Sequence, residues 1–229
     1  ALAALLPTGR SDSVMLDLGA NVDCDSNNLV QFAVMGAAFA RIALGVKTPS
    51  VALLNVGTEE LKGTEELRDA AAILRASDLP MRFEGFIEGD QIVRGKVDVV
   101  VTDGFSGNVA LKTAEGTARQ IGQYLRAAMS RTLMARIGYI FAKGAFDRLR
   151  EKMDPGKVNG GVFLGLNGIV IKSHGGATPE GYGNAIRVAV DLARSDYLTK
   201  VSANFARLSA VLDKGDSASD EAQIGEVQP

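Results

Sequence analysis

The sequence predicts an α/β protein, with three layers (α/β/α) around a largely parallel sheet. Three observations predict it. Short β-branched or aliphatic runs alternate along the chain with helical patterns. Three of those runs end in glycine-bearing turns, at Leu16-Asp-Leu-Gly-Ala-Asn21, Leu53-Leu-Asn-Val-Gly-Thr58 and Val99-Val-Val-Thr-Asp-Gly-Phe-Ser-Gly-Asn108. Strands separated by helices require crossover connections, which are right-handed and place helices on both faces of a parallel sheet.

The expected strands are Val14–Leu18, Val51–Val56, Met81–Ile87, Val97–Thr102 and Gly168–Ser173, each a run of apolar or β-branched residues bounded by turn residues. The expected helices are Asn27–Leu44, Thr58–Arg75, Asn108 to about Lys143, and Gly181 to about Leu212. Asp23 and Asp25 read as turn and N-cap residues ahead of the first of these. Gly45-Val-Lys-Thr-Pro49 and Ser77-Asp-Leu-Pro80 read as helix stops. The glycine-rich stretch Pro155 to Gly168 reads as a loop. Residues 1–212 are expected to form part of one α/β domain, and 213–229, rich in Ser, Asp, Glu, Gln and Gly, a flexible polar tail.

The chain has 229 residues and is 46% hydrophobic, enough to bury a substantial core. Its 25 basic and 27 acidic residues leave a formal charge of −2, so bulk charge gives no footprint for nucleic acid. A single cysteine, Cys24, excludes a disulfide framework within the chain and fits a reducing, cytoplasmic setting. Cys24 reads as a buried, inert thiol. The N-terminal Ala-Leu-Ala-Ala-Leu-Leu is short and lacks a preceding basic region, which argues against a signal peptide. The first residue is not methionine, so a longer or processed protein is expected.

A strand that ends in a tight glycine turn before a helix aims unpaired N–H groups, and the positive end of the helix dipole, at the crevice above the sheet. That arrangement suits phosphate or an oxyanion. The candidate lining residues are Asp17, Gly19 and Asn21 in the first junction, Gly57 and Thr58 in the second, and Gly104, Ser106 and Gly107 in the third. Lys62 can neutralise a phosphate as a compact charge; the alternative is a solvated lysine paired with Glu59 or Glu66. The Asn108 amide can donate to a developing oxyanion, or it caps the helix. Asp103 ends its strand beside the same turn. Asp17, Asp23, Asp25 and Asp103 would suit Mg²⁺ only if clustered, and the turn and cap readings are favoured over a metal site. His174, the only histidine, ends a strand and reads either as a proton carrier or as a structural residue bonded to a loop.

Between Glu115 and Asp147 there is no acidic residue, while cations alternate with large apolar side chains. Arg126, Arg131, Leu133, Met134, Arg136, Ile137, Tyr139, Ile140, Phe141 and Lys143 form a basic, apolar surface, read as a projecting helical hairpin over about 118–153 that bends at Gly138 and Gly144. It suits an anionic membrane surface or an acidic partner. The alternative is a core or dimer-interface helix with snorkelling arginines.

Several blocks together resemble one family. Leu16-Asp-Leu-Gly-Ala-Asn-Val-Asp23, Leu29-Val-Gln-Phe-Ala-Val-Met-Gly36, Leu53-Leu-Asn-Val-Gly-Thr-Glu59, Lys62-Gly63, Val100-Val-Thr-Asp-Gly-Phe-Ser-Gly-Asn-Val109, Leu111-Lys-Thr-Ala-Glu-Gly116 and Gly165-Leu-Asn-Gly-Ile-Val-Ile-Lys-Ser-His-Gly175 resemble the bacterial phosphate acyltransferases of phospholipid synthesis (the PlsX family). The resemblance implies a homodimeric, cofactor-free enzyme with a fold like phosphotransacetylases and isocitrate or isopropylmalate dehydrogenases. It would convert acyl-acyl carrier protein and inorganic phosphate into acyl phosphate and free carrier protein. Lys62 and Asn108 fall on the positions of the family's catalytic lysine and asparagine. The basic hairpin resembles the element thought to engage the membrane, where acyl phosphate passes to a glycerol-3-phosphate acyltransferase. The family's N-terminal Asp-Ala-Met-Gly-Gly-Asp and Ser-Ala-Gly-Asn-Thr-Gly turns have no counterpart here, which implies either a C-terminal portion of a longer protein or a truncated one. Two other readings stay open on the residues alone. One is a metal- and NAD-dependent hydroxyacid dehydrogenase of the same fold, and the other is a membrane-surface scaffold for lipid-synthesis enzymes.

Overall fold

The computed structural model describes residues 1–152 and 160–206. Among them, seven strands form one sheet: β1 (Leu2–Pro7), β2 (Asp12–Leu16), β3 (Ser50–Leu54), β4 (Arg82–Ile87), β5 (Val99–Val101), β6 (Gly161–Phe163) and β7 (Val170–Lys172), in the order β4-β3-β5-β2-β1-β6-β7. The helices are α1 (Ser26–Ala43), α2 (Glu65–Ala76), the single turn α3 (Gly89–Ile92), α4 (Gly104–Ser130), α5 (Leu133–Lys152) and α6 (Pro179–Arg194), with further helical residues at 197–206.

The expected largely parallel sheet is corrected to a mixed one. Strands β4, β3, β5 and β2 are parallel, whereas β1, β6 and β7 each run antiparallel to their neighbours. The cause is a segment without strand character in the sequence. Leu2–Pro7, rich in Ala and Leu, is an internal strand, and only residues 8–11 separate it from β2. Four residues close a hairpin but cannot carry a crossover, so the pair must be antiparallel. Strand β6 was likewise hidden, inside the stretch read as a glycine-rich loop.

The sheet's two faces follow from strand alternation. Val14, Leu16, Val51, Leu53, Val99 and Val101 point into a large core beneath α1, α2 and α6. Met15, Ala52 and Val100 point the other way, into a smaller core that includes Ile87 and Ile92 and is flanked by Ala110 and Leu111 of α4. Helix α1 is apolar nearly all round and buried from Leu29 to Ala40 except at Gln31, as a central helix must be. It starts in a capping box, with Asp25 Oδ1 accepting from Asn28 N at 2.7 Å. At Gly36 it touches the sheet: a Cβ there would stand 2.8 Å from Val99 Cγ1 and 2.9 Å from Leu16 Cδ2. This contact fixes α1 against β2 and β5, two of the strands that present the candidate site.

Other helix expectations move at their ends. Residues 58–63 form a turn rather than the start of a helix, and α2 begins after the N-cap Thr64, whose hydroxyl accepts from Leu67 N at 3.4 Å. The region expected as one helix from Asn108 is two helices. The first begins at Gly104, and the break falls at 131–132 instead of at Gly138 or Gly144, which lie within α5. Thr132 opens α5, its hydroxyl accepting from Ala135 N at 3.1 Å. After Gly107, no residue through 148 is buried, so α4 beyond its first turns and α5 as far as residue 148 present themselves to solvent. The expected helix from Gly181 to Leu212 is interrupted at Ser195–Asp196. Its end, the tail 213–229, residue 153 of the hairpin and the first part of the Pro155–Gly168 stretch lie outside the described residues.

Candidate active site

Strands β3, β5 and β2 are consecutive neighbours and parallel, so their C-terminal ends lie along one edge of the sheet. Neighbouring strands are about 4.8 Å apart, so the outer two of the three turns start roughly 10 Å from each other. The topology therefore gathers the three glycine turns into one crevice.

The first turn is built around Asp17. This carboxylate is fully buried, accepting from Leu2 N (2.8 Å), Gly19 N (3.1 Å), Ala20 N (3.0 Å), Asn21 N (2.7 Å) and Asn21 Nδ2 (2.7 Å). Burial pushes its pKa up, but the hydrogen bonds from Ala20, Leu2 and Asn21 outweigh it and hold the group below the ordinary aspartate value. Asp17 shapes the turn and spends its acceptors doing so. Gly19, with φ +119°, takes a conformation that L side chains rarely adopt.

The third turn docks onto the first. Asp103 is the N-cap of α4, its carboxylate accepting from Ser106 N at 2.7 Å. Gly104 N donates to Asn21 O at 2.7 Å. Asn108 is not a cap, because it lies in the second turn of α4 and its Nδ2 donates to Leu18 O at 3.0 Å. Its amide thus stands between the two turns. Gly107 lies so close to the first turn that a Cβ would overlap Asp17 O and stand 2.8 Å from Thr102 Cγ2. We expect Gly107→Ala to lower stability by about 1–3 kcal/mol, because a backbone carbonyl cannot yield as a side chain can. Gly116→Ala on the same helix, where a Cβ meets nothing within 4 Å, is expected to be neutral or slightly stabilising. Thermal melts of the two variants check this; equal Tm values would refute the close contact.

The second turn carries Lys62. Gly57 is buried and Thr58 exposed. A Cβ at Gly57 would stand 2.5 Å from Glu59 Oε2 and 3.1 Å from Lys62 Cγ, so the Glu59 carboxylate and the lysine stem both lie over the glycine. Lys62 N donates to Glu59 O at 3.1 Å. Among the described residues the Lys62 ammonium has no carboxylate partner; neither Glu59 nor Glu66 pairs with it, and Glu60 pairs with Arg75 at 3.3 Å.

The aspartates considered for Mg²⁺ have other roles, with Asp25 and Asp103 as caps and Asp17 turned to backbone N–H groups. Among the described residues no three His, Cys, Asp or Glu side chains gather as a metal site would require. Cys24 is half-buried instead of fully buried. Its Sγ lies 3.6 Å from Asn21 O, and burial raises the thiol pKa.

His174 is not brought to the crevice. Strand β7 runs opposite to β2, with Val170 beside Phe163 and Phe163 beside Leu2, at the crevice edge. His174 lies four residues beyond Val170, hence about 13 Å along the sheet and three strands across. Its Nδ1 accepts from Gly176 N at 3.1 Å, which makes it part of its own turn. The proton-carrier role in this crevice is therefore withdrawn. The residue missed by sequence reasoning is Asn55. It is only 7% exposed, and its side chain binds both ends of the Lys62 loop. An asparagine directly between an apolar strand and a glycine turn was the available signal.

The basic, apolar surface is present on α4 and α5. Leu133, Met134, Ile137, Tyr139, Ile140 and Phe141 are exposed, Phe141 at 87%, and Arg126, Arg131, Arg136 and Lys143 are exposed with them. Tyr139 stacks on Phe146, ring centroids 5.3 Å apart, and Arg136 Nε donates to Ser130 O at 3.1 Å across the break. No helix among the described residues is long and apolar enough to cross a membrane.

The fold is that of a three-layer α/β/α protein with three glycine turns along one edge of its sheet. The solved structure of the EutD phosphotransacetylase from Staphylococcus aureus has a similar fold, at 20% identity and TM-score 0.51, covering 84% of this chain and 53% of that one. Residues 1–200 match the model of the fatty acid synthesis protein family, and the chain belongs to that family. It is 61% identical over 208 residues to the phosphate acyltransferase of Rhizobium meliloti (strain 1021), and 59% identical over 208 residues to that of Nitrobacter hamburgensis (strain DSM 10229 / NCIMB 13809 / X14). The matches cover 90% of this chain but 60% and 59% of those relatives, so it spans about three-fifths of their length.

Proposed function

We propose that the chain carries the phosphate-activating part of a phosphate acyltransferase, which moves an acyl group from acyl-acyl carrier protein to inorganic phosphate. The observation that carries this reading is the placing of three glycine turns at the ends of adjacent parallel strands, with a lysine on one that has no carboxylate partner among the described residues and an asparagine amide bridging the other two. The phosphate acyltransferase name of the relatives supports it.

The chemistry needs no cofactor. A phosphate oxygen attacks the thioester carbonyl, the C–O bond forms, and a tetrahedral oxyanion results. Its collapse breaks the C–S bond, and the phosphate's proton ends on the departing thiolate. The protein must hold a dianion against a carbonyl carbon and stabilise the developing charge. We assign Lys62 to the phosphate charge, and Asn108, near the positive end of the α4 dipole, to the oxyanion; the N–H groups of Gly104, Ser106 and Gly107 are taken by Asn21 O and Asp103 and hold the turns together. Gly19, Asn21, Gly57, Thr58, Gly104, Ser106 and Gly107 supply the close-fitting wall, while Asp17 and Asp103 orient it. Within the three-layer class, the likeness to isocitrate and isopropylmalate dehydrogenases is part of the same proposal, as is a homodimer. The exposed surface of α4 and α5 between Glu115 and Asp147, which carries no acidic residue, supports contact with an anionic membrane or the carrier protein, and hand-over to a glycerol-3-phosphate acyltransferase.

The test is phosphate-dependent release of free carrier thiol from acyl-carrier protein by the full-length protein. Asn108→Ala is expected to lower kcat by about 10²–10³, the usual cost of removing one oxyanion donor. Turnover that does not depend on phosphate, or a fully active variant, would refute the assignment.

A further inference from the structure

The Lys62 loop is an exposed turn, yet one buried side chain fastens it at both ends. Asn55 follows the last residue of β3, and its N–H continues the ladder to β4 by donating to Ile87 O at 2.8 Å. Its Oδ1 accepts from Val56 N at 2.8 Å, where the loop leaves the sheet. Its Nδ2 donates to Lys62 O at 3.0 Å, where the loop returns. Gly63, with φ +85°, follows at once, and a Cβ there would collide with the Asn55 amide. Gly63 thus serves both the turn and the close approach of the amide. The other fastenings lie outside, between exposed groups: Glu60 with Arg75, and Arg68 Nη1 with Gly63 O at 3.3 Å. Such contacts hold weakly in water.

We propose that Asn55 is the positioning residue for Lys62: its buried amide closes the 56–62 loop and sets the ammonium over the crevice for an incoming phosphate dianion. This rests on the reading of Lys62 given above. Asn55 touches no substrate and acts through the lysine. The amide must offer an acceptor and a donor at once, which alanine cannot do and aspartate can do only in part. Aspartate would turn an oxygen towards Lys62 O, so Asn55→Asp is not expected to rescue the loop.

The experiment is a double-mutant cycle in the full-length protein, following phosphate-dependent thiol release from acyl-carrier protein, with hydrogen exchange of residues 56–63 in each variant. With Lys62 present, Asn55→Ala is expected to lower kcat/KM for phosphate about 10- to 100-fold, as misplacing a reacting group by about 1 Å does. In the Lys62→Ala background the same change is expected to cost less than about threefold, because the group it positions is gone. Exchange over 56–63 should rise in Asn55→Ala and Asn55→Asp while the amides of β3 and β5 stay protected. Equal losses in both backgrounds, or an unchanged loop exchange, would overturn the proposal while leaving Lys62 in place. A fully active Lys62→Ala variant would instead overturn the reading of the site, and the proposal with it.

Discussion

Lys62→Ala in the full-length protein is expected to reduce phosphate-dependent thiol release by at least about 10²–10³, the scale of losing one preorganised charge at a reacting centre. The ammonium makes no ion pair with a carboxylate among the described residues, so it can meet an incoming anion without breaking one. It sits on the turn after β3, next to the strand that leads into α4. Arginine is not a substitute. Its planar fork demands two acceptors in one plane, and the lysine stem already lies 3.1 Å from where a Cβ on Gly57 would stand. Steady-state rates against phosphate concentration check this. A variant with a raised KM and an unchanged kcat would mean that the lysine only binds phosphate, with no share in the barrier.

Asp17→Ala is expected to be the most destabilising single change in the site, by about 3–5 kcal/mol, because it leaves four backbone N–H groups around a buried position without their acceptor. For a chain of this size that is a fall in Tm on the order of 10 °C. The effect carries a pH signature. The folded-state pKa of Asp17 is held below its ordinary 3.8. The folded state therefore favours the ionised form, and the stabilisation is complete above about pH 4 and is lost as pH falls through the lower folded-state value. Urea midpoints measured between about pH 5 and pH 2 should fall more steeply for the unmodified protein than for Asp17→Asn. Parallel curves would show that this carboxylate is not the linked group.

The central strands and α1 were legible because their sequence obeys simple periods: β-branched runs bounded by turns, and an apolar helix opened by Asp25. The junctions at Asp17, Gly57 and Asp103 were legible because glycine after a strand has few other uses. Leu2–Pro7 was not, since a stretch of Ala and Leu has no strand preference of its own and becomes a strand only between β2 and β6. His174 misled for the same reason. A strand end says nothing about which edge it reaches until every intervening direction is known, and β1 reverses the rest. The role of Asn108 was ambiguous in sequence because a cap and a second-turn position are only a few residues apart; the N-cap, Asp103, lies five residues before Asn108. Asn55 was passed over because its partners are main-chain atoms, which sequence does not display.

The pairing of Leu2 with Phe163 has a consequence for how the molecule is assembled. As the polypeptide leaves the ribosome, the β1–β2 hairpin can close early, yet one flank of β1 stays unsatisfied until Val162 and Phe163 have been made, far downstream of Leu16. Such an open flank is a template for stray pairing. Nascent chains halted before Phe163 carry that liability, and those that reach it are relieved of it.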